Sequence, residues 1–146
     1  VPFETFPSEK DKTDTEIALE YAIAKRPSHI WIVGGIGTRF DHTLGNVHLL
    51  YSALKQNVAA TLINEHNQIY LTDREVIIYG NKNDIVSLIP FTMEVKGVCT
   101  EGLYYTLKDA TLVAGSSYGI SNVMLSAKAR IRLQSGLLLI IQAKDN

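Results

Sequence analysis

The sequence changes its periodicity near residue 68, and this change constrains the fold more than any other feature. Before it, two helical patterns alternate with short apolar runs at 30–33 and 59–63. This alternation predicts a parallel sheet covered by helices, with the 30–33 strand buried on both faces. After it, short β-rich runs alternate with turn residues, which predicts an antiparallel sandwich or barrel. We therefore expect an α/β followed by all-β chain.

The boundary between these two parts is placed near residue 72. Residues 1–72 would form part of an α/β parallel-sheet domain, and residues 73–146 an antiparallel β-sandwich. The predicted strands of the second part lie at 69–71, 75–79, 85–89, 93–99, 103–107, 127–133 and 137–142. In the run 127–133, Arg130 and Arg132 alternate with aliphatic residues, so the arginines should face solvent.

Composition excludes several classes of protein. The chain has 146 residues, 46% of them hydrophobic, and a formal net charge of -1. No electrostatic field would draw it to nucleic acid or to an anionic membrane. The longest apolar run, 137–141, is far shorter than the roughly 20 residues of a spanning helix. The single cysteine, Cys99, allows no intrachain disulfide, which favours a cytoplasmic location.

The first candidate site lies at the start of the first helical pattern. Thr13 and Glu16 have the spacing of a capping box, and the predicted apolar stripe then runs through Ile17, Tyr21 and Ala24. Helix N-termini favour anions. Carboxylates and lysines crowd this segment, and a hard cation such as Mg²⁺ prefers carboxylate oxygens. An ordinary helix cap with solvated charges is the alternative interpretation.

The second candidate site is the glycine-rich segment 34–42, between a predicted strand and a predicted helix. Its glycines would let backbone amides approach phosphate oxygens, and Arg39 offers a planar fork for phosphate. Ligands bind at the carboxyl ends of strands in such sheets. The segment matches neither the Rossmann nor the Walker A pattern, so by itself it is weak evidence.

The third candidate site is the polar segment 115–122 in the β-rich part. Its small side chains could hold a heterocycle or an alcohol, although a plain connection between strands is the simpler interpretation. The chain opens Val1-Pro2 and carries a further proline at Pro7. This opening is typical of a segment leaving an earlier element, so we expect further residues upstream; a processed terminus is the alternative.

Six motifs in order resemble bacterial thiamine pyrophosphokinases. They lie at 11–16, 34–42, 64–67, 87–90, 97–103 and 119–122 and span essentially the whole chain. The resemblance implies a catalytic α/β domain, a β-sandwich that helps bind thiamine, and a homodimer with active sites between subunits. In that family the hydroxyl of thiamine attacks the β-phosphorus of ATP, AMP leaves, and Mg²⁺ bridges the phosphates.

The resemblance also implies roles for individual residues. Asp14 would be a metal-site carboxylate, Arg39 would hold ATP phosphates, and Asp41 would orient ligand or metal-bound water; these three form the catalytic set. Ser121 and Asn122 would face thiamine. The residues implied in ATP and phosphate binding are Asp11, Lys12, Gly35, Gly37, Thr38, Arg39 and His42.

The chain departs from the family pattern in two ways. The family's other metal-binding aspartates precede the first motif, and no Asp-rich stretch is found there in this sequence. Some relatives place an aromatic residue where residues 137–139 are leucines here. Two alternatives therefore stay open: another nucleotide-dependent transferase, or a non-catalytic module that binds thiamine or its phosphates.

Overall fold

The computed structural model describes residues 3, 5 and 11–144, so the proline-containing opening lies outside the described residues. The described part contains helices α1 (Asp14–Ala24) and α2 (Phe40–Lys55), and the strands β1 (His29–Val33), β2 (Ala59–Ile63), β3 (Asn67–Thr72), β4 (Val76–Tyr79), β5 (Ile85–Pro90), β6 (Glu94–Glu101), β7 (Ala110–Val113), β8 (Asn122–Val123), β9 (Lys128–Arg132) and β10 (Leu138–Ala143).

The strands form two sheets, and the larger sheet spans both parts of the chain. Its strand order is β1-β2-β3-β10-β5-β8, and the smaller sheet has the order β4-β9-β6-β7. β1 and β2 are parallel, whereas the other neighbours in the larger sheet are antiparallel. The predicted fold class, α/β followed by an antiparallel sandwich, is confirmed. β3 ends at Thr72, but its neighbour β10 comes from the far end of the chain, so the domain boundary at 72 stays a prediction.

β10 shows how the larger sheet is packed on both faces. Leu138 and Ile140 lie in the core between the two sheets, whereas Leu139 lies in a second core with Val47 and Leu50 of α2. Because side chains alternate along a strand, one strand contributes to both cores. Helix α2 therefore covers one face of the larger sheet, and the smaller sheet covers the other face at β10 and β5.

The face opposite α2 is open at the β1 end of the larger sheet. Trp31 is 57% exposed and Val33 is 77% exposed, whereas Ile32 packs toward the helices. The prediction that this strand is buried on both faces is therefore wrong for the described residues. The reason is topological: α1 and α2 pack on the same face of β1 and β2, and the smaller sheet does not extend over Trp31.

Three further local predictions need correction. The buried stripe of α1 runs through Leu19 and Ile23, because that side of the helix meets Ala53 and Val58; Tyr21 lies exposed beside Lys25. The predicted strand at 103–107 is an irregular segment. The short strands β7 and β8 were not expected. In contrast, Thr13 caps α1 as predicted, and β9 exposes its arginines.

Candidate functional site

The glycine-rich loop follows β1 and is tied to α2 by two polar side chains. The Thr43 hydroxyl accepts a hydrogen bond from the Gly37 amide at 3.1 Å, and the Asn46 side chain donates to the Gly35 carbonyl at 2.9 Å. A Cβ at Gly35 would lie 2.6 Å from a Leu62 methyl, so this position needs glycine for close packing. Gly34 has a φ of +78°, which favours glycine. The loop is thereby held in one shape.

Arg39 and Asp41 form a two-point ion pair at the start of α2. The guanidinium donates to both carboxylate oxygens, at 3.3 Å from Nε and 2.7 Å from Nη2. Their side chains are 71% and 64% exposed. The Arg39 guanidinium, and secondarily the His42 amide, hold the pKa of the Asp41 carboxyl below its usual value. Two of the five guanidinium N–H groups donate to Asp41, so three remain to donate to a phosphate.

The first turn of α2 is suited to anions. Arg39 is the N-cap residue but makes no side-chain capping bond, and the first intrahelical bond runs from the Thr43 amide to the Arg39 carbonyl. The amides before Thr43 therefore have no intrahelical partner and lie at the positive end of the helix dipole, where the His42 amide already donates to the Asp41 carboxylate. Thr38 and His42 lie exposed beside this end.

The second group of predicted residues lies at the N-terminus of α1. The Thr13 hydroxyl accepts from the Glu16 amide at 3.2 Å, and Asp14 is the first residue of the helix. Lys12 forms an ion pair with Glu20 at 2.6 Å, and this hydrogen bond raises the Lys12 pKa. Asp11 is exposed. The lysine is thus partnered along the helix, and both aspartates lie at the helix end.

The topology brings both helix N-termini to the carboxyl ends of the parallel strands. α2 connects the parallel strands β1 and β2, and α1 precedes β1 through a short link, so both helices run against the strands. Their N-termini therefore lie at the carboxyl end of β1. The Asn64 side chain accepts hydrogen bonds from the His66 and Asn67 amides. These bonds close the turn after β2, at the carboxyl ends of the same parallel strands. Asp14 and Arg39 therefore lie at the carboxyl ends of these strands, where Brändén's rule places ligands.

The helix N-terminus of α1 offers carboxylates that could contribute to a Mg²⁺ site. Among the described residues, no group of three or more His, Cys, Asp or Glu side chains could hold a metal. Asp14 and Asp11 offer two carboxylates at the α1 end. Mg²⁺ bound to a nucleotide commonly takes one or two carboxylates and completes its octahedron with phosphates and water. The two carboxylates therefore fit a metal that arrives with phosphates.

The third predicted segment lies elsewhere, next to the edge strand β8. Ser121 has a φ of +58°, an uncommon left-handed conformation for a residue with a side chain. Its amide donates to the Ser87 hydroxyl at 3.1 Å, and the Leu88 amide donates to the Gly119 carbonyl at 2.8 Å. These bonds fasten the segment along β5. The Ser121 side chain is exposed, so it is available to a ligand.

Asn122 differs from Ser121 because its side chain points inward and is only 5% exposed as a residue. Its Oδ1 accepts from the amides of Tyr105 at 3.0 Å and Val123 at 2.9 Å, and its Nδ2 donates to the Tyr105 carbonyl at 2.7 Å. Three hydrogen bonds thus hold the side chain inside the protein. It holds the irregular segment at 103–107 against β8.

The larger sheet separates the first two sites from the third. The Arg39 loop follows β1 at one edge of the sheet, and Ser121 precedes β8 at the other edge. Five strand-to-strand spacings of about 4.8 Å put the two edges roughly 24 Å apart. Within one chain, Asp14 and Arg39 lie at helix N-termini beside β1, whereas Ser121 and Asn122 lie at the β8 side of the sheet.

A cleft in the described part of the chain lies at none of these positions. It has a volume of about 530 Å³ and lies between the open face of the larger sheet and β4. Trp31, Thr61 and Tyr70 line it, and the Trp31 ring stacks on His29 at 4.4 Å. Burial raises the pKa of Tyr70 well above its usual range. No motif pointed to this cleft, because its walls come from strands far apart in sequence.

Sequence reasoning also missed the side chains that hold the loops in place. Thr43 and Asn46 lie three residues apart on the first turns of α2, and this spacing of polar residues was the available signal. Ser87 lies in the motif at 87–90, but nothing in the sequence indicated its contact with Ser121, which crosses 34 residues.

Fold and loops together define a class: an α/β sheet with an anion-suited loop, continued into a β-sandwich. Two family profiles match the sequence. The first, described as thiamin pyrophosphokinase, catalytic domain, matches residues 1–62; the second, the vitamin B1 binding domain of the same enzyme, matches residues 67–138. The chain belongs to the thiamin pyrophosphokinase family.

Individual relatives agree with the family match. The chain is 34% identical over 142 residues to a thiamine pyrophosphokinase of Bacillus subtilis, covering 96% of this chain and 66% of that protein. A crystal structure from B. subtilis superposes with a TM-score of 0.89, covering 95% of this chain and 66% of the other at 34% identity. One from Geobacillus thermodenitrificans gives 0.88 at 29% identity, with 97% and 66% covered. The chain thus spans slightly less than two thirds of these relatives.

In the part of the chain that the structure describes, neither helix is long and apolar enough to cross a membrane.

Proposed function

We propose that this protein transfers a pyrophosphoryl group from ATP to thiamine, giving thiamine diphosphate and AMP. The thiamine hydroxyl oxygen bonds to the β-phosphorus of ATP, the bond from that phosphorus to the α–β bridging oxygen breaks, and the hydroxyl proton is released. The family membership and the two profiles, one for catalysis and one for vitamin B1, support this reaction. We also infer that the protein works in the cytoplasm.

The Arg39 loop is the proposed seat of the ATP phosphates. Such a transfer needs mainly positioning and neutralisation of the charge on the phosphoryl oxygens. Arg39 supplies a planar cation, and the first turn of α2 supplies amides without an intrahelical partner. Asp41 accepts two hydrogen bonds from the guanidinium and thereby orients it. Gly35, Gly37 and the neighbouring polar residues Lys12, Thr38 and His42 complete the proposed phosphate-binding set.

Asp14, with Asp11 beside it, is proposed to hold the Mg²⁺ that accompanies ATP. Bound there, the ion would neutralise phosphate charge. The test is Asp14→Asn in the full-length protein, which should abolish turnover while the melting temperature changes little, because Asp14 is exposed at a helix end. Glu94→Gln, which removes an exposed carboxylate from β6 of the smaller sheet, is the control and should keep most activity. Near-normal turnover of Asp14→Asn would contradict this assignment.

We propose further that the protein is a homodimer with active sites between subunits. The single observation that carries this step is the separation of the two sites. Reacting atoms must approach to about 3–3.5 Å, yet the Arg39 loop and the Ser121 segment lie at opposite edges of a six-stranded sheet. A two-fold axis would bring the Arg39 edge of one subunit to the Ser121 edge of its partner, and would do so twice.

Complementation between two inactive variants tests the shared site. Arg39→Ala damages the phosphate side. Gly119→Ala damages the other side, because a Cβ at Gly119 would collide with the Leu88 carbonyl and displace the segment. If the halves come from different chains, mixed dimers contain one undamaged site, and subunit exchange should restore part of the activity. Activity is measured as AMP release from Mg-ATP and thiamine.

Two controls accompany this experiment. Each variant is exchanged with itself and should stay inactive, and native mass spectrometry shows whether mixed dimers form. Mixed dimers without recovered activity would place both halves in one chain. Absence of thiamine-dependent AMP release from the wild-type full-length protein would reject the reaction itself; tight thiamine binding without turnover would then favour the non-catalytic module.

A further inference from the structure

Tyr104 and Tyr105 form an exposed aromatic pair that the fold does not use for its own stability. They are 65% and 63% exposed, and their rings meet edge to face with centroids 4.9 Å apart. Exposed tyrosines on a mobile loop would carry little information. These two, however, belong to the irregular segment at 103–107, which is held by buried side chains at its ends and by hydrogen bonds along its length.

The fastening begins at the ends of the segment. Leu103 and Leu107 are buried in the core between the sheets. The Leu107 amide donates to the Thr100 hydroxyl at 2.9 Å, and the Leu107 carbonyl accepts from the Thr100 amide at 3.0 Å. The two tyrosines are therefore held out from a rigid base.

The middle of the segment is fastened by β8. The Asn122 side chain bonds both the amide and the carbonyl of Tyr105, and the Tyr104 amide donates to the Val123 carbonyl at 2.9 Å. Asn122 directly follows Ser121, whose exposed hydroxyl belongs to the proposed thiamine segment. A buried polar side chain thus links an aromatic surface to that segment.

We propose that the Tyr104–Tyr105 pair is the aromatic wall against which the thiamine ring system binds, and that Asn122 is its positioning residue. Thiamine carries a flat, cationic thiazolium ring and a flat aminopyrimidine ring. Aromatic faces attract cations and stack on flat rings. A pre-organised pair binds without the entropic cost of ordering the side chains. The vitamin B1 binding profile covers this segment.

This inference rests on the proposed function and adds a specificity determinant to it. The wall selects a cationic aromatic acceptor, whereas the Arg39 loop selects phosphate. Loss of the wall should therefore weaken thiamine binding without affecting Mg-ATP. A purely structural role for the tyrosines would weaken both ligands together or lower the melting temperature.

Calorimetric titration of the full-length protein with thiamine, and separately with Mg-ATP, tests the assignment. The double variant Tyr104→Ala/Tyr105→Ala should bind thiamine about tenfold more weakly or worse, with unchanged Mg-ATP affinity. The double variant Tyr104→Phe/Tyr105→Phe keeps both rings and should restore wild-type affinity within about twofold. Tyr79→Ala, which removes an equally exposed tyrosine from the smaller sheet, is the matched control and should change neither affinity.

The outcomes separate the inference from the function. If the wild type binds thiamine and the double alanine variant binds it equally well, the wall is rejected and the proposed reaction stands. If the phenylalanine variant fails as badly as the alanine variant, ring stacking is rejected. If the wild type neither binds thiamine nor releases AMP in its presence, both the reaction and the wall are rejected.

Discussion

The two loops at opposite edges of the larger sheet present their polar groups in opposite ways. In the loop after β1, the charged side chains of Arg39 and Asp41 point outward, and Thr43 and Asn46 fix the backbone from the helix. At the start of β8, the polar side chain of Asn122 points inward and itself fixes the backbone. The first loop exposes its charged side chains, whereas the second segment takes its shape from a buried one.

The difference teaches that polarity in a loop does not by itself identify a ligand contact. Both segments are rich in glycine and small polar residues, and sequence alone gives them the same interpretation. Their substitutions should nevertheless differ in kind: a change at the exposed Arg39 should affect activity at constant stability, whereas a change at Asn122 should affect stability first.

The largest expected effect is that of Asn122→Ala on stability. It leaves the Tyr105 amide and carbonyl and the Val123 amide without their partner, which should cost about 2–4 kcal/mol. The measurement is the free energy of unfolding from urea titration. Ser121→Gly, one residue away, is the control: it removes a side chain from a left-handed position and should cost little. An Asn122→Ala protein as stable as the wild type would show that the inward bonds are dispensable.

Arg39→Lys should have a smaller effect on free energy and a different one. A lysine cannot grip two oxygens in a plane, so thiamine-dependent AMP release should fall roughly ten- to hundredfold in kcat/KM. The melting temperature should stay unchanged because Arg39 is exposed. Arg74→Lys is the control, since Arg74 is another exposed arginine paired with its neighbour, Asp73. Unchanged kcat/KM would reduce Arg39 to a surface residue.

The smallest expected effect is on the titration of Asp41. Its lowered pKa means that the folded state favours the carboxylate, so the pair is intact at neutral pH and is lost only as pH falls through that lowered value. Carboxyl NMR titration should find the Asp41 pKa below the ordinary value of about 3.9. Arg39→Gln should return it toward that value, and Arg74→Gln should not. An ordinary pKa in the wild type would mean that the ion pair does not persist in solution.

Sequence reasoning succeeded where a local pattern determines the structure. The cap of α1 by Thr13, the helix after the glycine loop and the exposed arginines of β9 depend on neighbours within a few residues, and all were predicted. The resemblance to the family was equally accessible, because it rests on motifs in order along the chain.

The failures share a different cause, because they depend on contacts between distant segments. The Leu19 face of α1 is selected by Ala53 and Val58 rather than by its own periodicity. The segment at 103–107 has the composition of a strand, but Asn122 uses the hydrogen-bonding groups of Tyr105 that a neighbouring strand would need. The placement of the Arg39 loop and the Ser121 segment at opposite edges follows from the return of β10 between β3 and β5, which no local pattern predicts.

Trp31 is the only tryptophan of the chain. About half of its surface is exposed, on the open face of the larger sheet, where it lines the cleft. An indole in that position is a built-in fluorophore. Its emission maximum should move to shorter wavelength when any surface covers that face and excludes water. The Ser121 segment lies at the far edge of the larger sheet, so a spectral shift would report what covers β1 separately from what binds at that segment. The intrinsic fluorescence of the unlabelled protein can therefore follow assembly over the open face.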